Sequence, residues 1–170
     1  TRKSPNPTAL PVKDVGASHY HADHIYGLQA FQDTTDAPIV AQERAFEYNE
    51  NQETSDERAS ERLGQRRNAL APWVNNDTRV VMPDITFDDR VTIGLGKTKF
   101  SLIYAGHAHS GSDIMMLVQP DGVLFAGDIV QNSRLPFMSG DAVSPSNWRK
   151  ALTERMQPSP KSIIRAHGKR

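Results

Sequence analysis

Cysteine is absent from this 170-residue chain. Disulfides and thiolate ligands are thereby excluded, so any bound metal must be held by imidazole and carboxylate groups. Net charge is absent too, with 20 Lys and Arg against 20 Asp and Glu. A neutral chain has no field to draw it to phosphate backbones or anionic lipid, so neither nucleic acid nor a membrane is expected as a partner. No run approaches the roughly 18 apolar residues of a membrane span, and the opening Thr-Arg-Lys-Ser-Pro leads into no apolar signal core. Apolar residues are scarce, at 37% hydrophobic and 7% aromatic. That is lean for a self-sufficient core, and it raises the expectation that part of the core lies outside this stretch. The length fits one domain, read here as residues 1–170.

What is present has the order of an α/β chain. Pro11 to Ala17 reads as a weak buried strand ending at a cluster of histidines, and Ile39 to Ala41 as a short strand after a loop. From about residue 42 to 71, Glu and Arg recur every three or four residues, which predicts a charged helical insertion, either a solvated hairpin or a lid. After Asn75 the period becomes two, giving strands at Arg79–Met82, Arg90–Ile93, Lys97–Tyr104, Ile114–Val118 and Gly122–Ala126, with turns at Gly94–Gly96 and Gln119–Gly122. Trp148, Leu152 and Met156 repeat every four residues and predict an amphipathic helix capped by Ser146 or Asn147. A last strand, Ser162–Arg165, leads to His167.

The chemistry is concentrated in Ser18-His19-Tyr20-His21-Ala22-Asp23-His24, an HxHxDH motif. With so few histidines in the chain, that spacing arises by chance roughly 6 × 10⁻⁴ times per sequence. His19 and His21, two apart in extended chain, share a face and can clasp one ion. Asp23 and His24 fall where the chain turns and can hold a second. Imidazole and carboxylate without thiolate suit Zn²⁺, with Fe or Mn as alternatives. His109, Asp128 and His167 each follow a predicted strand, and strand ends meeting at one sheet edge are where α/β sites are built.

These residues resemble the metallo-β-lactamase superfamily, and within it the glyoxalase II-like hydrolases, most of all the bacterial zinc enzymes associated with sulfur oxidation and quinoproteins. The resemblance runs from about Pro11 to Gly168 and rests on His19–Gly27, Ala105–Asp113, Leu124–Asp128 and Arg134–Met138. It implies a four-layer αββα sandwich, truncated at both the N-terminus and the C-terminus, since relatives carry strands before the first motif and continue past the last histidine. It implies that His19, His21 and His109 hold one metal, that Asp23, His24 and His167 hold the other, and that Asp128 bridges them. The expected activity is that of a binuclear zinc metallohydrolase, in which two Zn²⁺ and a bridging hydroxide cleave a thioester, ester or lactone of a small molecule, with Asp23 and Asp128 as the catalytic carboxylates.

Three alternatives stay open. A β-lactamase is one, although relatives with that activity carry Cys or Ser where this chain has Asp128. An iron persulfide dioxygenase is the second, and a truncated, non-catalytic metal-binding scaffold the third. His107 is left outside the metal set. Ser110 and Asp113 are expected to orient His109, and Tyr20, Tyr26 and Trp148 are read as core rather than pocket lining. Oligomeric state and compartment stay open; the sulfur-oxidation resemblance leans to the bacterial periplasm.

Overall fold

The computed structural model describes residues 10–46, 68–133, 135–136, 138, 143–156 and 159–168. The expected helical insertion falls mostly at 47–67, outside the described residues; its start, Glu43–Phe46, is a 3₁₀ turn.

Two sheets are built in succession. The first is parallel, with β1 (Val15–Gly16), β2 (Ile39–Gln42) and β3 (Ile85–Phe87) in that order. Parallel neighbours need a crossover, and α1 (Ala22–Ile25) with α2 (Leu28–Gln32) supplies the one from β1 to β2. The second sheet is β4 (Arg90–Leu95), β5 (Thr98–Tyr104), β6 (Ile114–Gln119) and β7 (Val123–Phe125), an antiparallel meander, closed by β8 (Ser162–Ile164) parallel to β7. The crossover to β8 contains α3 (Pro145–Lys150), which continues as a π turn, Ala151–Arg155.

Strand alternation sets the layers. In β2, Val40 joins Phe87, Leu102 and Ile114 in a core between the two sheets. Its neighbours Ile39 and Ala41 face the other way, onto Ile25, Tyr26 and Leu28 of the α1–α2 segment. In the second sheet Ile103, Met115, Leu117 and Leu124 turn outward, under Trp148 and Ala151. Successive side chains point to opposite faces, so three cores separate four layers, helix, sheet, sheet and helix. This is the αββα order. Each fully buried Leu, Ile or Met contributes about 1.5–3 kcal/mol to holding it. Among the described residues, no helix is long and apolar enough to cross a membrane.

Several local expectations are corrected. The strand foreseen over Pro11–Ala17 pairs only at Val15 and Gly16. Arg79–Met82 is not a strand. The Arg79 backbone N–H donates to Gln29 and its guanidinium pairs with Asp33, while Val80 and Val81 pack inward as irregular chain. Pairing begins beyond Pro83, where Asp84 N–H donates to Ile39 O at 2.9 Å and the Asp84 carboxylate accepts from Ile39 N at 2.8 Å. The first hairpin turns at Gly96-Lys97, with Gly96 at φ 62°, and Gly94 lies within β4 opposite Lys99. The last helix starts three residues early because Ser144, not Ser146 or Asn147, is the cap: its Oγ accepts from Asn147 N, and Pro145 occupies the first turn, where its missing N–H costs nothing.

Candidate metal centre

All seven residues singled out by motif and resemblance gather where β1, β5, β7 and β8 end. His19 lies on the chain leaving β1 and His21 at the bend that follows, where extended chain was expected, and Asp23 and His24 lie on the single turn of α1, which opens as His24 and Ile25 N–H donate to His21 O at 2.9 and 3.1 Å. His109 comes from the loop after β5, Asp128 from the turn after β7, and His167 from beyond β8.

That turn after β7 depends on Gly127. Its φ is 52°, and a Cβ there would meet the Ser18 Cβ at 3.2 Å, so the chain both bends tightly and passes close to the first motif. The His109 loop is closed by Asp113. This buried carboxylate accepts from Ser110 N at 2.6 Å and Ser110 Oγ at 2.7 Å, and burial pushes its pKa up against the pull of those bonds. Ser110 and Asp113 thus brace the loop backbone that aims His109. The indole of Trp148, donating to Ile129 O at 2.9 Å, stands edge-on behind the His109 ring with centroids 5.7 Å apart. Trp148 and Tyr26 are core, as expected. His107 takes no part in any ligand group found among the described residues.

Within the centre, His19, His21 and His109 bring one nitrogen each to a common point, with His19 Nε2 and His109 Nε2 both 3.0 Å from His21 Nδ1. A second group joins Asp23, His24 and His167, with His167 Nε2 3.0 Å and His24 Nε2 3.6 Å from Asp23 Oδ2. Asp128 stands between them. Its Oδ2 is 3.4 Å from His109 Nε2, and its Oδ1 is 3.5 Å from both His24 Nε2 and His167 Nε2.

Three of the imidazoles, His19, His21 and His24, are held neutral. Burial first, and then the surrounding histidines His24, His21, His109 and His167, keep His19 far below the ordinary imidazole range. Burial and then His109 push His21 down to about 4, against the pull of Asp23 and Asp128. Burial also lowers His24 despite Asp128 and Asp23 beside it. Burial raises Asp23, but His24, a backbone N–H, His167 and His21 together outweigh it and leave the carboxylate below its usual value. Neutral imidazoles and ionised carboxylates are the forms that bind metal.

Two observations show that the donor set fits a cation. A neutral imidazole nitrogen offers in its plane either one hydrogen or one lone pair, so hydrogen bonding does not satisfy the approach of both His19 and His109 to His21 Nδ1, whereas convergence on an ion does. His24 Nε2 and Asp128 Oδ1 are also buried without a hydrogen-bond partner. Leaving such atoms unsatisfied costs about 1–3 kcal/mol each, and a cation between them removes that penalty.

The sequence matches the model of the metallo-beta-lactamase superfamily over residues 6–167. No curated protein matches it. Among solved structures, it is similar to a metallo-beta-lactamase from Pontibacter korlensis (TM-score 0.69, 19% identity, 96% of this chain and 65% of that one). It is equally similar to an archaeal metallo-beta-lactamase superfamily protein from Sulfolobus tokodaii (0.69, 20%, 93% and 62%). A third is TTHA1623 in a di-iron-bound form (0.66, 14%, 96% and 73%). The chain thus spans about two thirds of the length of the structures it matches. With the αββα layering and the histidine–aspartate cluster where β1, β5, β7 and β8 end, this match over nearly all of its length shows that the chain belongs to the metallo-beta-lactamase superfamily.

Proposed function

We propose that this chain forms the binuclear centre of a glyoxalase II-like hydrolase, which cleaves a thioester, ester or lactone of a small molecule. The observation that carries the reading is the placement of Asp128, one carboxylate with an oxygen toward each ligand group. In this reading His19, His21 and His109 hold one ion, Asp23, His24 and His167 the other, and Asp128 both. Two zinc ions held there would lower the pKa of a shared water toward neutrality and polarise a substrate carbonyl. The protein's own part is positional. Asp23, ionised and half-exposed, would accept a hydrogen bond from such a water on the solvent side, while Asp128 lies on the buried side. His24 and His19 stay unprotonated at neutral pH and so keep their lone pairs turned into the site.

Iron is a second reading for the ions, favoured by the di-iron form of a structural relative. Elemental mass spectrometry on protein purified without chelator, followed by a thioester and lactone screen, tests both. About two zinc per chain with hydrolysis is the expected result. One iron per chain without hydrolysis would replace the hydrolase by oxidative chemistry, and no metal would sink the proposal.

A further inference from the structure

Ser18 is not among the ligands, yet its hydroxyl touches both halves of the centre. Its Oγ lies 3.0 Å from His24 Nδ1 and 3.2 Å from His19 Nδ1, and those two rings are 4.0 Å apart. The Ser18 backbone is clamped as well. Its carbonyl accepts from Ile114 N at 2.9 Å, tying the end of β1 to the start of β6, and its Cβ lies against the bare Cα of Gly127. The hydroxyl is therefore delivered to a fixed point between the two rings.

The chemistry of that point is selective. His19 and His24 direct Nε2 into the site, His19 toward His21 and His24 toward Asp128. A neutral imidazole that offers its Nε2 lone pair must carry its proton on Nδ1. Both Nδ1–H groups then point at one oxygen, which has two lone pairs to receive them. If Ser18 instead donated its own proton to either ring, that ring would carry its hydrogen on Nε2 and turn N–H, rather than a lone pair, toward the ion.

We infer that Ser18 is a positioning residue: its hydroxyl accepts from both Nδ1–H groups and sets the tautomer of one ligand histidine in each of the two groups. One side chain thereby makes both halves of the centre ready to bind together. The inference rests on the metal-ligand reading of His19 and His24, but its tautomer can be read without metal.

The test uses Ser18→Thr and Ser18→Val, which have the same shape and differ in the hydroxyl. An open cleft of about 360 Å³ lined by Ser18, Gly16, Leu102, Met116 and Gly127 leaves room for the added methyl. Ring-nitrogen NMR of the metal-free proteins reads the tautomers directly, and chelator competition with zinc reads both affinities. With Ser18→Thr, His19 and His24 should remain Nδ1–H. With Ser18→Val they should shift toward Nε2–H, and both zinc affinities should fall by about tenfold to a hundredfold, the usual effect of losing a partner that orients a ligand. Unchanged tautomers in Ser18→Val would overturn the inference, as would weakening of one ion alone. If Ser18→Val does not fold, Ser18→Ala replaces it and is judged by the same two readouts. If the parent binds no zinc but the tautomers respond to the hydroxyl, Ser18 still sets both tautomers, while its part in metal binding and the hydrolase reading fall.

Discussion

The two halves of the centre are built differently. His19 and His109 are almost fully buried, 1% and 2% exposed, and are fixed by internal chain: the end of β1 and a loop tied by its own Asp113. The other half opens to solvent at two of its three residues, His24 being largely buried. The side chains of Asp23 and His167 are 49% and 33% exposed, and His167 follows a three-residue strand whose residues are all exposed. The first half is thus organised by the core before any ion arrives, whereas the second is completed by elements with little packing behind them. A buried, preset group favours tight holding. A half-open one leaves access for water, as catalytic metal sites keep a position open.

Asp128 is the strongest test of that division because it serves both halves. Asp128→Ala should remove the link between them, strip the centre of its second ion, and lower hydrolysis by about 10²–10⁴-fold, the range for losing a catalytic carboxylate that acts in proton transfer. Elemental analysis beside a thioester assay checks it. Retention of two ions at parental activity would mean that the carboxylate does not bridge. His167→Ala comes next and affects one half only. It should leave about one zinc per chain, held by His19, His21 and His109, since three protein ligands and an open position suffice for such a site. Loss of both ions in His167→Ala would break the comparison, because the buried half would then not stand alone.

The same contrast decides what could be read in advance. The HxHxDH spacing was legible because it constrains chemistry, and its four residues all leave the end of β1, where the structure joins them with His109, Asp128 and His167 from three other strand ends. The four-layer order was implied by resemblance, and strand alternation at Val40 against Ile39 and Ala41 bears it out. Local boundaries were less legible. Val80 and Val81 look like strand residues, but tertiary bonds from Arg79 to Gln29 and Asp33 take the chain out of register, and β3 starts only where Asp84 reaches Ile39. The role of Ser18 was hidden for a similar reason. Its significance lies in two nitrogen atoms, one six residues away, and no periodicity encodes that meeting.

A pH titration of the metal-free protein sharpens the contrast further. His21 has an ordinary value of 6.5 when unfolded and about 4 when folded, and His19 and His24 are shifted in the same direction. Because the folded state disfavours the protonated rings, the unfolded chain binds more protons on acidification. Stability should be full above about pH 6.5 and fall steadily as pH drops toward about 4. Thermal melts check this, at about 2–4 °C of Tm for each kcal/mol lost. Saturating zinc should steepen the decline, since protons then compete with the ion for the same lone pairs. A metal-free melting curve flat from pH 7 to 4 would mean that these rings are not preset as neutral ligands.

The smallest effect expected lies behind the buried half. Ser144 caps α3, accepting from Asn147 N, and α3 carries Trp148 against the His109 ring. Ser144→Ala removes one N-cap bond, which typically costs about 1 kcal/mol. The cap bond is long at 3.4 Å, so the loss should fall at or below that figure. Trp148 is also held by its own bond to Ile129 O and by the core around Ala151, Ala108 and Met115. The wall behind His109 should therefore survive, with a Tm lower by no more than about 2–4 °C and unchanged zinc content. If Ser144→Ala instead loosened zinc as His167→Ala does, the first half would depend on its helix as the second depends on β8, and the asymmetry between preset and assembled halves would disappear.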